Sequence, residues 1–223
     1  MTPSVERKLS GAPPTPPGFA DSLLLASFFL SGCSALVYQV GWQRALYAFI
    51  GVDIDSITII VSVFMLGIGL GGMAGGWLAD VLPLRRLRLY ALIEISIGLY
   101  GLASLWLLPR MVDVFSHLGG GGAGASVAAC FVFLLLPTLL MGMTLPLLTI
   151  AFNERSGNIG LSVGTLYFVN TLGAAVGAAL VPFVLLPMWA LPEVIALAAL
   201  GNFIVMACAL LAAATLRRQG PAA

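Results

Sequence analysis

The stretch GIGLGGMAGGWLAD, residues 67–80, decides whether this chain holds a nucleotide or packs as a helix. Gly67, Gly69 and Gly72 have the G-x-G-x-x-G spacing that binds a dinucleotide pyrophosphate where a strand leads into a helix. The preceding apolar run, SITIIVSVFML, would suit a strand, and Glu94 stands about where a ribose-binding acid is expected. The composition of the whole chain settles the choice.

The composition is that of a membrane protein. Of the 223 residues, 60% are hydrophobic and only 9% are charged, and the mean hydropathy is +1.07. About a quarter of the residues in a soluble domain are charged, so this chain has too few charges to cover a water-exposed surface. The net charge of +1 and the lack of a basic stripe with interleaved aromatic residues argue against nucleic acid as a partner.

Six apolar segments are long enough to cross a bilayer, which takes about 20 residues. We therefore predict an all-α, polytopic membrane protein with its transmembrane domain over residues 19–216. Residues 1–18, rich in proline, are predicted to form a disordered tail and residues 217–223 a short second tail. The predicted spans are 20–43, 56–79, 89–109, 126–151, 161–187 and 191–216.

The distribution of Lys and Arg predicts the orientation of the spans. Eight of the ten lie on the side of the two termini, and two, Arg44 and Arg110, lie on the other. An even number of spans agrees with this bias. We expect both termini in the cytoplasm and the chain in the inner (plasma) membrane, with the lipid bilayer as its first partner.

The glycines of residues 67–80 then belong to a helix, because a backbone in lipid must bond to itself and cannot open into a phosphate-binding turn. At helical spacing they form small-x-x-x-small series, which allow a neighbouring helix to approach closely. We expect seams of this kind within one chain or between two copies. The predicted packing positions are Gly67, Gly71 and Gly75, then Gly72 and Gly76, and in the fifth span Gly173 and Gly177.

Several motifs resemble known membrane proteins. GGWLADVLPLRRLRLY resembles in part the signature loop of major facilitator transporters, in which an acid and a basic cluster join two helices on the cytoplasmic side. The wider series resembles the membrane region of spermidine-synthase-like integral membrane proteins, and it covers about residues 20–205. Its segments are SGCSALVYQVGWQRAL, FMLGIGLGGMAGGWLAD, LYALIEISIGLYGL, LLPTLLMGMTLPLL and GTLYFVNTLGAAVGA.

This resemblance implies a half-major-facilitator-like bundle of six spans. In that family a soluble, aminopropyltransferase-like domain commonly follows the membrane region, and we expect no such domain in these 223 residues. Full facilitators enclose a path between two six-span halves, so a single half is expected to pair with a second copy or with another subunit.

Polar residues inside spans are the best candidates for a site, because each is costly in lipid. Asn170 is predicted near the midplane of the fifth span, on one face with Tyr167. The pair either binds a solute or makes an interhelical hydrogen bond that only fixes packing.

The charged residues between the second and third predicted spans have two interpretations. Glu94, predicted five residues inside the third span, either binds a cationic ligand or pairs with nearby arginines, and Asp80 either locks the helices structurally or takes part in a gate. The arginines in question are Arg85, Arg86 and Arg88.

At the opposite end, YQVGWQR places Tyr38, Gln39, Trp42 and Arg44 where the first span is predicted to leave the membrane. The rings suit an interfacial aromatic belt. Alternatively, Gln39 and Arg44 orient a solute between the rings, with Asp53 and Asp55 available as opposite charges.

Pro137 and Pro146 in the fourth span predict kinks, which mark the sites of some transporters but are also common in inert membrane helices. The single histidine, His117, and the isolated Cys33, Cys130 and Cys208 have no companions at metal-ligand spacing. We therefore expect no metal, no cofactor and no catalytic constellation, and hence no enzyme activity in this chain.

Three functions remain open. By family resemblance the first is transport or handling of a small amine or polyamine. A second is a membrane anchor for a separate aminopropyltransferase-like enzyme, and a third is a structural subunit of a larger membrane assembly, which needs no polar path.

Overall fold

The computed structural model describes residues 18–50, 54–119 and 123–218. It confirms the all-α prediction: six helices are long and apolar enough to span a membrane, and the described residues contain no strand. Most of the two predicted tails and Asp53 lie outside this part of the chain. The helices are α1 (Phe19–Ile50), α2 (Ile54–Val81), α3 (Arg86–Gly119), α4 (Ala123–Ser156), α5 (Ile159–Leu180) and α6 (Leu191–Arg218).

Five of the six helices, all but α5, are longer than their predicted apolar spans, because the backbone stays helical after the hydropathy falls. The third span was predicted to end at residue 109, yet α3 continues through Pro109 to Gly119. A short 3-10 helix, Pro83–Arg85, leads into α3. The fifth span continues beyond α5 through a π-helical turn, Val181–Leu185, and a last turn, Leu186–Met188.

The helices pack in a pattern that repeats between the two halves of the chain. The contact of α2 with α4 corresponds to that of α5 with α1, and the contact of α3 with α4 corresponds to that of α6 with α1. The contact between α3 and α6 joins the two halves and corresponds to itself. Exchanging the first three helices for the last three thus maps these contacts onto one another. The two outer helices of this arrangement are α2 and α5, in which only 28% and 17% of the most apolar window is buried, against 44% in each of the other four.

The glycines of α2 lie against α4. A Cβ on Gly75 would stand 2.6 Å from the Cα of Met143, and Gly71 meets the backbone at Leu139 and Gly142. Such distances leave no space for a side chain, so the two backbones touch. We call this contact, made by Gly67, Gly71 and Gly75 with α4, the glycine seam.

The fifth span uses the same device against α1, where Gly173 and Gly177 lie on the backbone of Phe29 and Cys33. By contrast, a Cβ on Gly76 would meet nothing within 4 Å, and one on Gly72 would meet only the Gly142 carbonyl, at 3.9 Å. The expectation that Gly72 and Gly76 form a second close-packed series is therefore wrong within the chain, because they face away from α4.

The prolines of the fourth span do not interrupt it, since α4 runs through Pro137 and Pro146 as one helix. A proline cannot donate to the carbonyl four residues before it, and for Pro137 this carbonyl is that of Phe133. The Tyr100 hydroxyl of α3 donates to the Phe133 carbonyl at 2.5 Å. A side chain from a neighbouring helix thus replaces the missing backbone bond.

Candidate functional site

The strongest candidate site is a carboxyl group in the interior of the bundle. Glu94 is fully buried where α3 faces α1 and α6. The Ser31 hydroxyl of α1 donates to its Oε1 at 2.6 Å, and the Asn202 side-chain amide of α6 donates to its Oε2 at 2.6 Å. One carboxyl group therefore links three helices that lie far apart in sequence.

The position of Glu94 corrects the sequence-based interpretation. α3 begins at Arg86 rather than at residue 89, so Glu94 lies eight residues, or about 12 Å, along the helix. It neither reaches toward the interface nor pairs with Arg85, Arg86 or Arg88. Buried serine and asparagine side chains satisfy its two oxygens instead.

Buried polar atoms without a partner surround this carboxyl group. The Tyr90 hydroxyl, one helical turn before Glu94, lies close to Ser27, Ser31 and Glu94 without a hydrogen bond of normal geometry to a described residue. The Asn202 side-chain oxygen and the Tyr38 hydroxyl are also buried and unpaired there. Buried polar groups are nearly always bonded to protein, to water or to a ligand. These unpaired oxygens are therefore candidate acceptors for a bound molecule. We call Ser31, Tyr90, Glu94 and Asn202 the Glu94 cluster.

No positive side chain compensates the cluster. The two ion pairs among the described residues are Arg86 with Glu154 and Arg155 with Asp21, both at one end of the bundle. An ionised carboxyl group is costly to bury without a positive partner, and it is commonly neutralised by a proton or paired with a cation. Among the described residues, Glu94 thus has no ion-pair partner, and its carboxyl group is a candidate site for a proton or a bound cation.

An aromatic cluster lies next to the Glu94 cluster along the bundle. Tyr38 stacks on Trp42 at 4.7 Å between ring centroids, and Trp42 meets Tyr100 and Phe133 edge-on at 5.8 and 5.9 Å. Tyr38 follows Ser31 by seven residues, two turns or about 10 Å along α1. The four rings thus extend from the Glu94 cluster toward the far ends of α1 and α3.

The aromatic cluster contradicts the predicted interfacial belt. Tyr38 and Trp42 are fully buried, and the Trp42 indole donates to the Ser104 hydroxyl at 2.9 Å. α1 continues to Ile50, so both rings lie well inside the helix rather than at its end. Gln39 is half-buried and Arg44 exposed, and neither makes a hydrogen bond or an ion pair with another described residue.

The structure separates Asn170 from Tyr167, which were predicted to share one face of the fifth span. Asn170 packs against α1, where a Cβ on Gly32 would lie 2.7 Å from its Oδ1, whereas Tyr167 is 61% exposed on the outer surface. Gly32 is next to Ser31, so Asn170 contacts α1 beside the cluster without a hydrogen bond to it. Of the two, only Asn170 borders the site.

The charged junction is held differently from the prediction. Arg86 donates to the Ala79 carbonyl at 2.9 Å and pairs with Glu154 at the end of α4. Asp80 is exposed and has no ion-pair partner in the described structure. The arginine therefore joins α2, α3 and α4 without Asp80.

Sequence reasoning did not single out Ser31, Tyr90 or Asn202. Each is one small or amphipathic residue in an apolar run, and their partners in the cluster lie 63 and 108 residues away. A lone asparagine in a span is a signal of the kind that marked Asn170, and it would have identified Asn202. Within the described ranges, no three His, Cys, Asp or Glu side chains are placed to hold a metal ion.

Comparison with known proteins gives two distant relatives. The chain is 28% identical over 193 residues to polyamine aminopropyltransferase 1 of Streptomyces coelicolor, which covers 84% of this chain and 34% of that protein. It is 29% identical over 178 residues to polyamine aminopropyltransferase 2 of the same organism, covering 78% of this chain and 31% of the relative. The chain thus spans about a third of the length of the curated relatives it matches. No family model matches it, and no solved structure does so significantly.

Proposed function

We propose that this chain is a membrane module that binds a small amine or polyamine at the Glu94 cluster and moves it through the bundle. The observation that carries the proposal is a fully buried carboxyl group that has no ion-pair partner in the part of the chain that the structure describes. The two relatives are named for polyamine chemistry, which favours an amine as the missing cation.

The unpaired atoms of the cluster match the donors of a primary ammonium group. Such a group has three N–H donors and no acceptor. The Glu94 carboxylate, the Tyr90 hydroxyl oxygen and the Asn202 side-chain oxygen together offer three acceptors. Ser31 and Asn202 donate hydrogen bonds to the two carboxylate oxygens, so the carboxylate is held in place before the ligand arrives.

The aromatic cluster supplies a second surface for a cation. The faces of Trp and Tyr attract ammonium groups, more strongly where water is excluded. Tyr38, Trp42 and Tyr100 extend from the Glu94 cluster along the bundle. A polyamine with its first ammonium at Glu94 would therefore direct its chain along these rings.

The fold is suited to opening around such a site. The repeated contact pattern of α1–α3 and α4–α6 is the arrangement expected of a three-plus-three inverted repeat, which many transporters use for alternating access. Together with the partial signature loop, it supports a half-major-facilitator-like bundle with both termini in the cytoplasm. We propose that two copies enclose the complete path.

Binding of spermidine, putrescine and a monoamine to the purified protein in lipid nanodiscs tests the site. We expect Glu94→Gln to weaken binding of each by at least about 30-fold, the effect of removing one partner of a buried charge pair. The substitution is nearly isosteric, and the unpaired Asn202 oxygen can accept the new amide proton after a flip, so the fold is retained. The matched control is Glu193→Gln, an exposed glutamate at the start of α6.

Equal amine binding by the wild type and Glu94→Gln would refute the assignment, and so would a wild type that binds no amine. Uptake of radiolabelled amine into proteoliposomes then separates transport from binding. A protein that binds amine through Glu94 and moves none would keep the site and remove the transport step.

A second candidate function rests on the relatives' names and on the matched share of their length. Both are named as aminopropyltransferases, and this chain matches about a third of each. We propose as the alternative that the chain anchors a separate enzyme of that kind at the arginine-rich end of the bundle. Affinity purification after gentle solubilisation, followed by an aminopropyltransferase assay on the eluate, tests it, and an eluate without that activity would contradict it.

A further inference from the structure

A cavity of about 550 Å³ opens at the arginine-rich end of the bundle, between the start of α3 and the ends of α4 and α6. Four arginines line it, and they come from three helices: Arg86 and Arg88, Arg155, and Arg217. We call this space the arginine cavity. It is separate from the Glu94 cluster, none of whose residues lines it.

The arginine cavity has an excess of positive charge. Arg86 pairs with Glu154 and Arg155 pairs with Asp21. Arg88 and Arg217 have no hydrogen-bond or ion-pair partner in the described structure, and both are exposed. Four arginines against two carboxylates leave two unbalanced positive charges at one cavity.

The wall of the cavity is apolar beneath these charges. Leu87, Ala151, Ala213 and Leu216 line it together with the arginines. A fully hydrated ion needs no such wall, whereas a phosphate ester with an attached hydrocarbon or sugar portion would bury against it. Unpaired guanidinium groups and apolar side chains thus line the same cavity.

We propose that the arginine cavity binds the phosphate group of an anionic ligand, which Arg88 and Arg217 contact directly. A guanidinium group matches phosphate oxygens with two parallel N–H bonds. Basic pockets between transmembrane helices bind anionic lipid headgroups. The general excess of arginine at one membrane face accounts for charge at helix ends, but it does not require arginines from three helices to converge on one cavity with two of them unpaired.

Native mass spectrometry of the whole chain tests the site and separates its two possible sources of phosphate. One arm measures binding of phosphatidylglycerol against phosphatidylcholine, and the other measures competition by inorganic phosphate and pyrophosphate. The test variant is Arg88→Gln/Arg217→Gln, which removes no ion pair of the described structure. The control is Arg110→Gln, an exposed arginine of α3 that lies outside the cavity.

We expect the wild type to bind phosphatidylglycerol more tightly than phosphatidylcholine. In the double variant the ratio of the two affinities should fall by roughly 10- to 30-fold, since each basic residue near an anionic surface contributes on the order of a tenfold factor or less. Arg110→Gln is expected to bind as the wild type does. If pyrophosphate displaced phosphatidylglycerol at similar concentrations, a soluble phosphate compound would be identified as the ligand. If pyrophosphate did not displace the lipid, the lipid itself would be identified. Equal binding of both lipids without any effect of phosphate, or an equal loss in the control, would overturn the proposal.

Discussion

The glycine seam and the Glu94 cluster hold helices together in opposite ways. At the glycine seam, Gly71 and Gly75 of α2 lie directly against the backbone of α4, and Gly67 lies against Thr138. At the Glu94 cluster, α1, α3 and α6 are joined by hydrogen bonds from buried side chains to one carboxyl group. The first contact depends on shape alone, whereas the second carries chemistry, so substitutions at the two places are expected to fail for different reasons.

The largest effect is expected at the glycine seam. Gly75→Leu puts a side chain where a Cβ already meets Met143 at 2.6 Å, so α2 must move away from α4, at a cost of about 3 kcal/mol or more of stability. Unfolding in mixed micelles of increasing denaturing detergent measures it. The control is the next residue, because a Cβ on Gly76 would meet nothing within 4 Å, and Gly76→Leu should change stability by less than about 0.5 kcal/mol. Equal losses at both positions would show that the close approach of Gly75 to α4 does not determine the result.

The second effect tests whether the polar contact depends on hydrogen bonding. Glu94→Leu leaves the Ser31 hydroxyl and the Asn202 amide without their acceptor, and we expect a loss of about 2 kcal/mol in the same unfolding measurement. Glu94→Gln retains an acceptor for Ser31 and should lose less than half as much. If leucine were tolerated as well as glutamine, the carboxyl group would have no structural part in the Glu94 cluster.

A smaller effect is expected from one donor of the Glu94 cluster. Ser31→Ala removes a single interhelical hydrogen bond, and such bonds contribute about 0.6 kcal/mol on average and up to about 1.7 kcal/mol in membrane proteins. Ser96→Ala is the control, since its hydroxyl bonds only to the Leu92 carbonyl of its own helix. A larger loss in Ser96→Ala than in Ser31→Ala would contradict the interhelical role.

The smallest effect is expected at the helix ends, where neither kind of contact operates. Asp21→Asn removes the partner of Arg155 in a pair that is only partly buried, and exposed pairs contribute about 0.2 to 1 kcal/mol. The difference between wild type and variant should shrink further at high salt, because salt screens such charges. A salt-independent difference would place this pair with the buried contacts instead.

Hydropathy was sufficient to predict the six helices and their order, because lipid leaves a spanning segment few other structures. It could not predict which helix fits each glycine. The answer for Gly75 is Met143 of α4, and for Gly173 it is Phe29 of α1, and both depend on packing between distant segments. A small-x-x-x-small pattern indicates that another helix approaches closely, but it does not indicate which helix that is.

The site was predictable only in part. Glu94 stands out as a carboxyl group in an apolar run, but its expected partners were the nearest arginines in sequence. Its real partners come from α1 and α6, and their hydroxyl and amide groups are too common to attract attention alone. Tyr38 and Trp42 were misplaced for a related reason: the first span was predicted to end at residue 43, so rings deep in α1 were assigned to the surface.

The bond between Tyr100 and the Phe133 carbonyl makes residues 100 and 137 dependent on each other. With alanine at 137, the backbone could supply its own donor to that carbonyl, and the phenol would become dispensable. The cost of Tyr100→Phe should therefore be large beside proline and small beside alanine, a measurable non-additivity in a double-mutant cycle. Through related sequences, a proline at 137 and a hydroxyl-bearing ring at 100 are expected to be gained and lost together.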